Sequence, residues 1–97
     1  MTEIAVRDNP DQQRFEVTVD GEFAGVADYR TTDDQIIFPR VEVDPRFRGH
    51  GVAAELVRFA LDRVREDGTR RVVPMCPYVQ TFVRRYPAYQ DLVDGET

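Results

Sequence analysis

Residues 41–53 read Val41-Glu42-Val43-Asp44-Pro45-Arg46-Phe47-Arg48-Gly49-His50-Gly51-Val52-Ala53. The order is a strand, a short basic loop, two glycines and the start of a helix. Gly49 and Gly51 let backbone N–H groups approach a ligand with no Cβ in the way. The first turn of a helix adds unpaired N–H donors and the positive end of its dipole. Arg46 and Arg48 add guanidinium forks that suit phosphate oxygens. Together these parts make a pyrophosphate cradle. Two nucleotide-binding alternatives fail on residues. The dinucleotide fingerprint needs a third glycine where Ala54 stands, and no Gly-Lys-Ser/Thr follows Gly51 as a P-loop requires.

After Gly51 the apolar residues Val52, Ala53, Leu56, Val57, Ala60, Leu61 and Val64 recur at three- and four-residue spacing, which predicts an amphipathic helix of about four turns. Gly68 is its natural stop. Before the cradle the period is two. Ile4–Arg7 reads as a strand closed by the turn Asp8-Asn9-Pro10-Asp11, and 14–19 as a half-buried strand. Asp20-Gly21 is a two-residue hairpin signal, Glu22–Arg30 the return strand, Thr31-Thr32-Asp33-Asp34 a turn, and Gln35–Val43 the next strand. Pro39 in that strand removes a ladder donor, as in a bulge or a plain edge strand. Arg71–Met75 reads as a short strand, and Tyr78–Arg85 as a short helix with Pro77 in its first turn. The expected fold is α+β, order ββββ-α-β-α, with helices packed on a mainly antiparallel sheet as one domain over 1–97.

Composition narrows the function classes. The net charge is −5, which disfavours nucleic acid as a general partner, yet residues 40–85 carry ten Arg against six acids. Residues 1–39 carry nine acids against three Arg. That acidic surface favours a cationic amine substrate, or is a solvated face. All thirteen basic residues are Arg, and the chain has no lysine. Cys76 is the one cysteine, which rules out an intramolecular disulfide and a Cys-rich zinc site. No apolar run approaches a bilayer span and no signal peptide is visible, so a cytoplasmic protein is expected.

Arg46-Phe47-Arg48-Gly49-His50-Gly51 resembles the Arg/Gln-x-x-Gly-x-Gly/Ala signature of the GCN5-related N-acetyltransferase superfamily. The Asp20-Gly21 hairpin with Tyr29, Val73-Pro74-Met75-Cys76-Pro77-Tyr78 and Arg84-Arg85-Tyr86-Pro87-Ala88-Tyr89 are similar to its minimal stand-alone, YjdJ-like branch. The resemblance implies acetyl-coenzyme A, with the Val41 and Val43 backbone pairing with the pantetheine arm and Arg48, Gly49, His50, Gly51, Val52 and Ala53 wrapping the pyrophosphate. Pro77 lies beside the same site. Arg84 and Arg85 either meet the CoA 3′-phosphate or are solvated helix-end charges. In one departure, that branch carries His-Thr where this chain has Arg40-Val41.

Three residues are candidates for chemistry. The resemblance places Cys76 beside the thioester, where it accepts acetyl or lines the tunnel. Glu42 is either a general base for the amine or a solvent-facing strand residue. Tyr78, with Tyr86 as an alternative, is a candidate acid for the leaving thiolate. The function these residues predict is acetyl-CoA-dependent N-acetylation of an amine. The competing reading is a CoA-binding module with little or no transferase activity.

Overall fold

A computed structural model describes residues 2–93. Five strands form one sheet in sequence order: β1 (Ile4–Asn9), β2 (Arg14–Val19), β3 (Glu22–Thr31), β4 (Gln35–Val43) and β5 (Arg71–Val73). The first four are antiparallel and β5 joins β4 in parallel, so the sheet is mixed and mainly antiparallel. Helix α1 (Val52–Asp67) makes the crossover between β4 and β5, and α2 (Pro77–Arg85) follows β5. Short 3-10 turns lie at Pro45–Phe47 and Pro87–Leu92.

The expected α+β order holds, with three corrections at strand ends. β1 continues through Asp8 and Asn9, which pair with Phe15 and Arg14, so the turn occupies 10–13. β3 includes Thr31, paired with Ile36. β5 stops at Val73 rather than Met75, because Pro74 has no N–H to continue the ladder. At the Asp20-Gly21 hairpin both φ values are positive, 50° and 86°, as a twisted two-residue turn requires.

The apolar stripe of α1 packs Val52, Leu56, Val57, Ala60, Leu61 and Val64 on the sheet, each at most 6% exposed. Phe15, Val17 and Phe38 meet it from the strands, and Val79 and Phe82 from α2. Gly68 ends α1 in the left-handed conformation, its N–H donating to the Val64 carbonyl. No helix among the described residues is long and apolar enough to cross a membrane.

β4 is not a uniform strand. Three steps of β4, from Ile37 to Arg40, oppose two steps of β3, from Asp28 to Arg30. That bulge at Phe38-Pro39 reverses the side-chain phase. Ile36 and Phe38 are buried before it, and Val41 and Val43 pack against the core after it. Arg40 and Glu42 are left on the outer face, exposed.

Candidate functional site

β5 accompanies β4 only through Gln35, Ile36 and Ile37, after which the two strands part. The N–H of Cys76 donates to the Phe38 carbonyl at 2.9 Å, which seats the start of α2 against the bulge. Beyond it the β5-side edge of β4 is open. The N–H of Asp44 donates to Ala24 on β3 at 2.8 Å. Alternate residues of a strand present their polar groups to opposite sides, so Val41 and Val43 turn theirs to the open edge.

That edge leads into the start of α1. Gly49 and Gly51 have φ of 85° and 73°, and a Cβ on either would meet nothing within 4 Å. The glycines are therefore required by backbone conformation, not by crowding within the protein. Gly51 is the N-cap and provides no side chain, and the first helical bond runs from Glu55 N to the Gly51 carbonyl at 3.0 Å. The N–H groups of Val52, Ala53 and Ala54 are thus left without intrahelical partners at the positive end of a 16-residue helix.

Edge and helix start share one groove of about 440 Å³. Its lining includes Val41, Glu42, Val43, Arg48, Gly49, Gly51, Val52, Ala53 and Tyr78 from the sequence-based candidates, together with Pro45, Phe47 and Ala54. Arg46 lies outside it: its N–H is 2.9 Å from Asp44 Oδ1, its guanidinium pairs with the same carboxylate at 3.4 Å, and it stacks over Phe47. The Arg46 N–H, and then its guanidinium, hold the Asp44 carboxyl below the usual range. His50, Pro77 and Arg84 are exposed and outside the groove lining. Cys76 is buried, 6% exposed, and also absent from that lining.

Glu42 is exposed and ion-paired to Arg40, which also reaches Asp28 at 2.9 Å. Arg40, at the position where the similar branch carries a histidine, is thus the centre of a surface ion-pair chain. Burial, and then the neighbouring Tyr86, push the Tyr78 phenol up, while Arg58 and Arg85 oppose them. The hydroxyl therefore keeps its proton at neutral pH, the state a proton donor needs.

Two features escaped the sequence reading. Gly25 on β3 lies beneath β4, where a Cβ would stand 2.5 Å from the Glu42 carbonyl oxygen. A lone glycine inside a strand pattern is the available signal for such an approach. The second is Glu16, buried on the outer face and hydrogen-bonded by Arg7, Asn9 and Arg14. A separate groove of about 420 Å³ lies at the other end of the sheet, where Tyr29 donates to Asp8 at 2.7 Å. None of the sequence-based site residues lines it.

The comparisons with known proteins agree with this fold. Residues 14–92 match the family model described as GCN5-related N-acetyl-transferase. A GCN5-like protein from Staphylococcus aureus, solved by NMR, superposes with a TM-score of 0.72 at 18% identity, over 96% of this chain and 90% of that one. The ribosomal-protein-S18-alanine N-acetyltransferase of Escherichia coli superposes with a TM-score of 0.66 at 14% identity, over 88% of this chain and 76% of that one. At these identities the two structures speak for the fold. A sequence search of curated proteins finds no match. With the family model spanning most of its length, the chain belongs to the GCN5-related N-acetyl-transferase family, a family of N-acetyl-transferring enzymes.

Proposed function

We propose that this protein transfers the acetyl group of acetyl-CoA to an amine, with 1–97 acting as one catalytic domain in the cytoplasm. The observation that carries the reading is the continuity of unpartnered donors in one groove. They run from the open Val41–Val43 edge to the N–H groups of Val52, Ala53 and Ala54. An amide-bearing arm ending in a pyrophosphate matches that sequence of donors, with Arg48 supplying further positive charge.

Acetyl-CoA supplies an activated acyl carbon, to which the amine nitrogen bonds as the carbon–sulfur bond breaks and the thiolate leaves. The chain's own residues orient and protect. The Val41 and Val43 backbone holds the arm along β4. The N–H groups of Tyr78 and Val79, without intrahelical partners at the start of α2, provide donors beside the bulge where β4 and β5 part. Tyr78 retains a proton to give. Glu42 lies on the exposed side of the same edge as an acceptor for the ammonium proton, directly or through water.

A second reading, a CoA-binding module with little or no turnover, is favoured by the burial of Cys76 and by the ion pair that holds Glu42. Two measurements divide the readings. Acetyl-CoA at millimolar concentration is expected to raise the melting temperature, and no shift would overturn both. Release of free CoA in the presence of an amine panel is expected for the enzyme, and binding without release would establish the module.

A further inference from the structure

The sheet face turned away from α1 and α2 carries two rows of side chains aligned by strand register. One row is Arg7, Glu16, Val26 and Glu42, and its neighbour is Asn9, Arg14, Asp28 and Arg40. Glu16 is only 7% exposed, and it fixes Arg14 through a 2.8 Å bond from Nε. The Arg14 guanidinium carbon then sits 5.7 Å from the centre of the Phe23 ring, which is 53% exposed. Opposite, Arg40 is fixed by Asp28 and Glu42. Between these walls runs an open groove of about 330 Å³ that includes Val26 and ends at Asp44.

This outer groove shares Glu42, Val43 and Pro45 with the groove described above, so the two meet across the same edge of β4. We propose that the outer groove receives the acetyl acceptor as an extended peptide amino terminus. Its ammonium lies toward Glu42, and its carbonyl or carboxylate oxygens lie toward Arg14 and Arg40. The inference rests on the reading that the first groove holds acetyl-CoA, because only then does the shared edge join donor to acceptor.

Three observations select this occupant. The groove is an open trough on a sheet face, whereas a small-molecule site encloses most of its ligand. It offers the Glu42 carboxylate at the shared edge and guanidinium forks along its walls, matching a chain with a cationic end and oxygen acceptors behind it. Arg14 is already held by a buried carboxylate and an aromatic face, so little ordering remains to be done on binding.

The test is an amide-resolved NMR titration of the full chain, with free CoA present, using alanyl-aspartyl-alanyl-alaninamide as the probe. Shifts are expected at Phe23–Val26 and Arg40–Asp44, and the N-acetylated form of the same peptide should bind at least five-fold more weakly. Arg14→Gln and Phe23→Ala should each weaken the free peptide at least five-fold while the melting shift with acetyl-CoA is retained. Phe23 is exposed, so its variant keeps the test meaningful if Arg14→Gln fails to fold. Peptide shifts confined to other surfaces, no shifts at all, or no response to either substitution would overturn the acceptor groove. Loss of the acetyl-CoA melting shift in the native protein would instead overturn the first-groove reading.

Discussion

Gly25 and Glu42 are in backbone contact across β3 and β4: a Cβ built on Gly25 would stand 2.5 Å from the Glu42 carbonyl oxygen and 3.0 Å from the Val43 Cα. The obstacle is main chain, which cannot rotate aside. Gly25→Ala must therefore push the 41–43 segment outward, the segment whose open edge borders the groove. The cost in stability is expected to be about 1–3 kcal/mol, the range for overpacking a close contact. Affinity for acetyl-CoA should fall by more than stability alone explains. Denaturant unfolding together with calorimetric titration checks both, and an alanine variant with unaltered affinity would detach the β4 edge from binding.

Gly51 separates conformation from ligand chemistry. Its φ of 73° penalises any side chain, yet a Cβ would meet nothing within 4 Å. Gly51→Ala is expected to cost about 1 kcal/mol of stability through the backbone alone. Gly51→Glu meets the same strain but adds an anion at the positive end of α1, which partly offsets the loss in the unliganded protein. With acetyl-CoA the order reverses. The alanine variant should retain a melting shift, whereas the glutamate variant should lose at least ten-fold in affinity, about 1.4 kcal/mol. Equal shifts in the two variants would remove phosphate from the first turn of α1.

Glu16 gives the fold a dependence on acid. A hydrogen bond from Asn9, and bonds from Arg14 and Arg7, outweigh burial and hold its carboxyl below the ordinary value of 4.5. The native state then takes up the proton less readily than the unfolded chain. Its stabilisation is fully present above the unfolded value and is lost as pH falls through the lower native one. Asp44 and Asp91, both held low by arginine neighbours, act in the same direction. Glu16→Gln should lower stability at neutral pH by about 2 kcal/mol, the scale of hydrogen bonds to a charged group. It should also flatten the decline in melting temperature between neutrality and about pH 3. An unchanged slope would assign the acid sensitivity to other carboxylates.

The parts of the fold legible in the sequence were those set by local period and local turn chemistry. The bounds of β2, β4 and α1 follow from alternation and from Gly68, and the hairpin from Asp20-Gly21. What stayed hidden depends on partners far along the chain. Glu16 looks like the solvent half of an alternating strand until Arg7, Asn9 and Arg14 converge on it. Pro39 signalled either a bulge or an edge, and the structure has both: Arg40 pairs with Asp28 and Ile37 with Arg30 around a bulge, and β5 leaves β4 after Ile37. The groove was legible where backbone makes it, at Val41, Val43, Gly49, Gly51, Val52 and Ala53. It was not legible for side chains such as Arg46, whose direction is set by Asp44.

Cys76 distinguishes direct attack by the amine from a covalent route. The thiol is buried at the N-cap of α2, where its own backbone N–H is bonded to Phe38 and its residue is 6% exposed. A nucleophilic thiol works as an accessible thiolate, and this one packs in the core alongside Val79 and Phe38. Cys76→Ala is accordingly expected to cost about 1 kcal/mol, the ordinary scale of a single substitution. It should leave CoA release with a good amine within about two-fold of the native rate, roughly 0.4 kcal/mol of barrier. Intact-protein mass spectrometry after incubation with acetyl-CoA should show no acetylated cysteine. An adduct at Cys76 that disappears when amine is added, together with loss of turnover in the alanine variant, would establish the covalent route and require α2 to move away from the bulge during each cycle.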